Sequence, residues 1–316
     1  MPLDLAAVRA AHARIRPHIH RTPVLTSARL DAAAGAALLF KCENFQKVGA
    51  FKARGATNAV LSLTDAEAAP GVATHSSGNH AAALARAARL RGVPAYIVMP
   101  SNSSAVKLRA VEAYGGRITF CEPTAAAREA TCARVIAETG ATLIHPFTDE
   151  RVIAGQGTVA LEFLGDFPDL DIVICPVGGG GLLAGTAIAA KSLRPSLRVI
   201  AAEPAGADDA ARSFAAGRRL PVEQPATIAD GLRTSIGEPN FAIMRRHVDA
   251  VVTVSEDAIV AALRTIWETL KIVIEPSAAV AYAALCESAP ALAGRRVGVI
   301  LTGGNVDLDA LPFARG

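Results

Sequence analysis

Residues 70–147 hold four strand-length apolar runs, at 71–75, 95–99, 117–121 and 142–144, separated by helix-length segments at 80–91, 104–114 and 125–139. Parallel strands need a long crossover between them, and each helix-length segment supplies one. A chain written in this order is restricted to parallel sheets with helices packed on their faces. The remainder follows the same rule. Runs at 36–42, 171–177, 198–203 and 297–301 read as strands, and 182–193 and 259–270 as helices. The expected fold class is α/β, with open, mostly parallel sheets flanked by helices. The 316 residues suffice for two domains at roughly 100–200 residues each. A small domain over 70–147 is expected to be inserted into a large domain made of 1–69 and 148–316.

Composition narrows the function classes. Hydrophobic residues make up 51% of the chain and aromatic residues only 4%, so the core must come from Ala, Val, Leu and Ile. The net charge of +3 and the lack of basic runs interleaved with aromatics give no footprint for nucleic acid. The cysteines (42, 121, 132, 175 and 286) are odd in number and form no CxxC pair, so they read as buried, reduced thiols of a cytoplasmic protein. Residues 1–4 do not open a secretory signal, and the longest weakly polar run, 178–190, is shorter than the ~20 residues that span a bilayer.

Five segments carry residues with chemistry. Lys52, one of only six lysines, lies between Phe51 and the small residues Ala53 and Gly55, just before a helix-like run at 56–63. An amine held in apolar surroundings loses solvation of its charged form and becomes a usable base or nucleophile. A lysine snorkelling at a helix start would look the same. Gly178, Gly179, Gly180 and Gly181 run from a strand into a helix, where free backbone N–H groups and the helix dipole favour a phosphate. Residues 179–184 also satisfy a GxGxxA pattern with Glu203 about 20 residues on, which suits a dinucleotide and keeps a nicotinamide-dependent oxidoreductase open as an alternative. The loop Thr74-His75-Ser76-Ser77-Gly78-Asn79-His80 supplies hydroxyls, an amide and imidazoles at a helix N-terminus, a place for a carboxylate as well as for plain capping. Thr302 ends the last strand, where open α/β sheets bind ligands. The acids at 203–209 suit either solvent or a hard divalent cation.

Taken together, these segments resemble the fold-type II pyridoxal-phosphate enzymes (tryptophan synthase β-like), and most closely the serine racemase and serine/threonine dehydratase group. His20-Arg21-Thr22-Pro23, Ser76-Ser77-Gly78-Asn79-His80, Ala154-Gly155-Gln156-Gly157-Thr158, Glu275-Pro276-Ser277-Ala278 and Asn305-Val306-Asp307 fall in the family's order, so the resemblance covers nearly the whole chain. It implies pyridoxal 5'-phosphate joined to Lys52 as a Schiff base, with Phe51 beside the ring and Asn79 at the phenolic oxygen. Gly178–Gly181 would cradle the phosphate and Thr302 would face the pyridine nitrogen. Ser76, Asn79 and His80, with Arg128 and Thr234, would hold the substrate carboxylate, and Ser77 would stand opposite Lys52 as the second base of a racemase.

A divalent cation (magnesium, calcium or manganese) would bind Glu203, Asp209 and the carbonyl of Ala207. The implied activity is β-elimination of serine, threonine, 3-hydroxyaspartate or a relative to a 2-oxo acid and ammonia, with racemisation at the same site. The small domain would be mobile and the enzyme a homodimer. Phe147 stands where the racemase has asparagine, and Ala82 stands where it uses a glutamine towards ATP, which argues against nucleotide activation.

Overall fold

The computed structural model describes residues 3–76, 78–103, 105–288 and 292–313. Among the described residues, ten strands form two sheets. The first contains β1 (Val24–Leu25), β2 (Ala37–Cys42), β7 (Ile172–Pro176), β8 (Arg198–Pro204), β9 (Ala250–Val254) and β10 (Arg296–Leu301), in the order β1-β2-β10-β7-β8-β9. The second contains β3 (Val72–His75), β4 (Ala95–Pro100), β5 (Arg117–Cys121) and β6 (Thr142–Leu143), in the order β5-β4-β3-β6. All strand pairings are parallel except β1 with β2. The alternation read from the sequence is thus the topology found.

The central strands are buried on both faces, with side chains alternating between two cores as the pleat requires. Ile172 and Ile174 join one cluster with the helices Glu256–Leu270 and Pro276–Glu287. Val173 and Cys175 join the other, with the helices Glu150–Asp166 and Gly181–Leu193. In the smaller sheet Val72, Ile97 and Met99 face the helices Lys52–Ser62 and Asn79–Arg91, while Ala73 and Val98 face the helix Ala125–Thr139. The helix Lys52–Ser62 therefore shares a core with the four-stranded sheet. It also crosses the helix Glu150–Asp166 at Gly55 and Gly155, where a Cβ on Gly155 would lie 2.6 Å from the Gly55 Cα.

Elements without strong periodicity escape the sequence reading. The strand β9 and the helices Leu5–Ile15, Glu150–Asp166 and Pro276–Glu287 were not expected, and the helix ending at Leu270 begins at Glu256, where the Ser255 side chain caps it. Cys42, Cys132 and Cys175 are buried, but Cys121 is half-buried and Cys286 is exposed, so the expectation of five buried thiols fails at those two positions. Cys286 falls in the last turn of its helix, where one side already faces solvent. Among the described residues no helix is long and apolar enough to cross a membrane.

Candidate active site

Lys52 is the first residue of its helix, and the segment before it is anchored to the end of β10. The Phe51 N–H donates to the Thr302 carbonyl at 3.0 Å, Ala50 bridges Gly303, and the Gly304 N–H donates to the Gly49 carbonyl at 2.9 Å. Val48 adopts a left-handed φ of 57°, which costs a β-branched residue conformational energy. The Asn305 side chain holds that turn by donating to the Val48 carbonyl at 2.7 Å. The strain sits within a few residues of Lys52.

The Lys52 amine donates to the Pro146 carbonyl at 2.9 Å and lies 5.2 Å from the centre of the Phe51 ring. Burial draws its pKa down from 10.5 to about 8, against the opposing charge of Glu275. An appreciable fraction is therefore free amine near neutral pH, as a base or imine-forming lysine requires. Glu275 is itself buried, and desolvation with the nearby Asp230 charge raises it to about 7. It accepts from the Asn79 amide at 2.8 Å and from the Asn305 N–H at 3.2 Å. Asn79 opens its helix, and its side-chain oxygen in turn accepts from the Asn305 amide at 2.9 Å. Three segments distant in sequence are tied together at this point. The Glu275-Pro276-Ser277-Ala278 segment belongs to the resemblance, but the sequence assigns Glu275 no role in the site, because an acid before Pro276 at a helix start reads as a cap.

The glycine loop lies where strand turns into helix. Gly180 has φ +87°, and a Cβ there would meet Asn240 at 2.9 Å. A Cβ on Gly178 would meet the Leu232 backbone at 2.9 Å, and one on Gly179 would fall on the Phe147 ring. Asn240 fixes the far side by donating to the carbonyls of Gly179 and Phe147 at 2.6 and 2.8 Å. Among the described residues, the N–H groups of Gly178, Gly179 and Gly180 donate to no protein acceptor. A cradle that excludes side chains and leaves N–H groups free fits a phosphate.

The other expected residues divide. Thr302 is buried at the end of β10, beside Phe51. Ser76 follows β3, its hydroxyl accepting from the Gly78 N–H at 3.3 Å. His80 is buried, with Nε2 3.3 Å from the Ile144 carbonyl and Nδ1 unpartnered; burial and the Lys52 charge push its pKa well below 6.5. Arg128 and Thr234 are half-buried and make no side-chain hydrogen bond among the described residues. Ser77 lies outside the described residues.

Glu203 closes β8 fully buried, its oxygens accepting from Ala210 and Ala211 at 3.0 and 2.9 Å. It is not presented to a ribose, so the dinucleotide reading loses its acid. Asp209 accepts from the Ile236 N–H at 2.7 Å through one oxygen, while the other is buried and unpartnered. Burial raises Glu203 to about 8 and Asp209 to about 6. Two buried carboxylates beside the buried Ala207, with an orphaned oxygen, suit a hard cation in donor type. Among the described residues no cluster of three or more His, Cys, Asp or Glu side chains is placed to hold a metal.

One further group went unnoticed in the sequence. Arg54, two residues past Lys52 and fully buried, donates to Glu43 at 2.7 and 2.8 Å and to Glu162 at 2.9 and 2.8 Å. Lys41 donates to Glu162 at 2.9 Å and to the Thr22 carbonyl at 2.8 Å. Lys107 pairs with Asp230, joining the helix Ala105–Ala113 to the segment whose Gly231 and Leu232 pack against Gly178.

The fold and site together define an α/β protein with a cradle fit for a phosphate-bearing group and a buried lysine amine of lowered pKa. Comparison with known proteins makes this specific: residues 15–303 match the family of pyridoxal-phosphate dependent enzymes, and the chain belongs to that family. It is 54% identical over 304 residues to a beta-hydroxyaspartate dehydratase of Paracoccus denitrificans (strain Pd 1222), covering 96% of each chain. Among solved structures it resembles maize serine racemase, with a TM-score of 0.95, 48% identity and coverage of 97% of this chain and 94% of that one. It also resembles the serine racemase of Dictyostelium discoideum, with a TM-score of 0.92, 48% identity and coverage of 96% and 99%. The resemblance read from the motifs is therefore correct, and the cofactor is pyridoxal phosphate.

Proposed function

We propose that the enzyme eliminates water from serine, threonine or a related β-hydroxy amino acid, giving a 2-oxo acid and ammonia, and also racemises serine. The observation that carries this reading is the Lys52 amine, lowered to about 8 and placed next to Phe51, whose N–H is tied to Thr302 at the mouth of β10. Bound pyridoxal phosphate supplies an electron sink that acidifies the Cα–H of the amino acid joined to it. Lys52 takes that proton. Ser76, Asn79 and His80 hold the carboxylate at the helix N-terminus, with Arg128 and Thr234 as further contacts, and Gly178–Gly181 hold the phosphate. Thr302 would meet the ring nitrogen with a neutral hydroxyl, which, unlike a carboxylate, would not keep that nitrogen protonated, so the sink would be weaker and prompt departure of the β-hydroxyl favoured. The Cα–H and Cβ–O bonds break, water leaves, and hydrolysis of the resulting enamine releases ammonia. Ser77 would be the residue that returns a proton to give the other enantiomer.

The same reading includes a divalent cation on Glu203, Asp209 and the Ala207 carbonyl, a homodimer, and a cytoplasmic location. It also divides the chain into a large domain (1–69 and 148–316) and a mobile small domain (70–147). The separate four-stranded sheet, drawn entirely from within 72–143, supports that division. A 2-oxo-acid and chirality assay across L- and D-β-hydroxy amino acids tests the activity. Ser77→Ala is expected to reduce racemisation more than dehydration of the L-substrate, and equal losses would remove the two-base role.

A further inference from the structure

Among the described residues, a single ion pair joins 70–147 to 148–316, that of Lys107 with Asp230. Lys107 stands on the helix Ala105–Ala113, between β4 and β5. Its ammonium lies 3.7 Å from the place a Cβ on Gly78 would take, so it reaches over the start of the helix that carries Asn79. Asp230 opens the short turn Asp230–Leu232, whose other two residues are fixed beside the cofactor site. The Gly231 N–H donates to the Ser277 hydroxyl at 3.0 Å, and Ser277 is buried in the first turn of the helix that begins after Glu275. Leu232 lies against Gly178 of the glycine loop. The Lys107 side chain is 20% exposed and that of Asp230 41%, so salt reaches the pair.

The charged groups acting on Glu275 are Lys52 from the helix Lys52–Ser62, Asp230 from the short turn and Lys107 from the helix Ala105–Ala113. Asn79 and Asn305 complete its surroundings as neutral donors. Asp230 raises the Glu275 carboxyl and Lys107 lowers it. Of the three charges, Lys107 alone is carried by the small domain, so its charge comes and goes with that domain. When it withdraws, Asp230 is left uncompensated, Glu275 takes up a proton more readily, and Lys52 loses the anion that opposes the effect of its burial. When it returns, Glu275 is held as a carboxylate and Lys52 becomes the stronger base.

We propose that Lys107 is a positioning residue that latches the small domain to the large one through Asp230 and brings its charge to Glu275 only in the closed state, so that closure strengthens Lys52 as a base. This rests on the mobile small domain and the role of Lys52 proposed above. The closed state differs from the open one by a made ion pair, and the same pair changes the charge facing Lys52. Closure and proton affinity at Lys52 are therefore linked, each favouring the other.

Neither readout of the test needs turnover. The first is amide hydrogen exchange in the helix Ala105–Ala113 of the cofactor-loaded protein, compared between wild type and Asp230→Asn. Asp230 lies outside that helix and its domain, so the substitution reaches the helix only through the pair. Exchange there is expected to quicken about two- to five-fold, the range for a part-exposed pair, and high salt should bring the wild type close to the variant. The second is the pH midpoint of pyridoxal phosphate capture by cofactor-free protein. Lys107→Met should lower it by about half a pH unit. Lys107→Arg should restore it, and Lys107→Met should add nothing in a Glu275→Gln background. An exchange rate unchanged in Asp230→Asn overturns the latch. A midpoint unmoved by Lys107→Met, or one that still moves once Glu275 is gone, overturns the link to Lys52. Wild-type exchange in this helix that occurs only on global unfolding, read from its urea dependence, overturns the mobile small domain itself, a separate result.

Discussion

Replacing Arg54 with methionine tests how the lysine-bearing helix is held. Arg54 and Lys41 balance Glu43 and Glu162 in a cluster with no access to solvent for three of the four residues and almost none for Glu162. Burial alone would push the Glu162 carboxyl up. The hydrogen bonds and charge of Arg54, with Lys41, outweigh that and hold it at about 2. Removing the guanidinium leaves two buried carboxylates facing one ammonium. Breaking a buried ion pair in this way costs about 3–5 kcal/mol, a large share of the roughly 5–15 kcal/mol that keeps a protein folded, and lowers Tm by roughly 10 °C. The sign with pH follows from linkage. A carboxylate depressed in the native state stabilises above its unfolded pKa near 4.5, a contribution lost as pH falls through about 2. Once Arg54 is gone, burial dominates and the carboxylate takes up a proton, so the deficit of the variant is greatest at neutral pH and shrinks as pH falls towards 4.5. Urea unfolding followed by circular dichroism at about pH 7 and about pH 5 measures both quantities. Arg54→Lys restores the charge but not the two-sided fork, and should fall between wild type and Met. A loss below about 1 kcal/mol, or an equal loss at both pH values, would refute the reasoning, the former because a buried pair was expected to cost several times more.

Further outcomes follow from the site. Lys52→Ala should abolish both 2-oxo-acid release and the near-visible absorbance of covalently held cofactor; a variant with full activity would remove Lys52 from the chemistry. In cofactor-free protein, the rate of pyridoxal phosphate capture should rise about ten-fold per pH unit and level off near pH 8, where the Lys52 amine becomes free. Glu275→Gln removes a charge that favours the ammonium and should move that midpoint lower, and a midpoint at the unperturbed 10.5 in either protein would contradict the burial argument. Gly180→Val forces a β-branched residue into φ +87° against Asn240, and should weaken cofactor binding by about ten-fold or more in equilibrium titration. Chelator treatment should lower Tm, and magnesium or calcium should restore it in the wild type but not in Asp209→Asn. Indifference to chelator would dismiss the cation.

The sequence by itself determined the class of fold and the outline of the site. Strand and helix periods alternate strictly enough to fix parallel sheets, and Gly178–Gly181 can hardly serve anything but a close backbone approach at a helix N-terminus. Lys52, Ser76, Asn79 and Thr302 could be proposed as site residues because each lies in a local pattern at the start of a helix or the end of a strand. The buried partners were not legible. Glu275, Arg54 and Glu162 look in sequence like ordinary surface charges, and only packing removes their water and forces them to find partners across separations of 108 and 196 residues. Tertiary structure decided which charges are buried, which protons are held, and which donors are left free for a ligand, because desolvation acts on a place in space and not on a position in the chain.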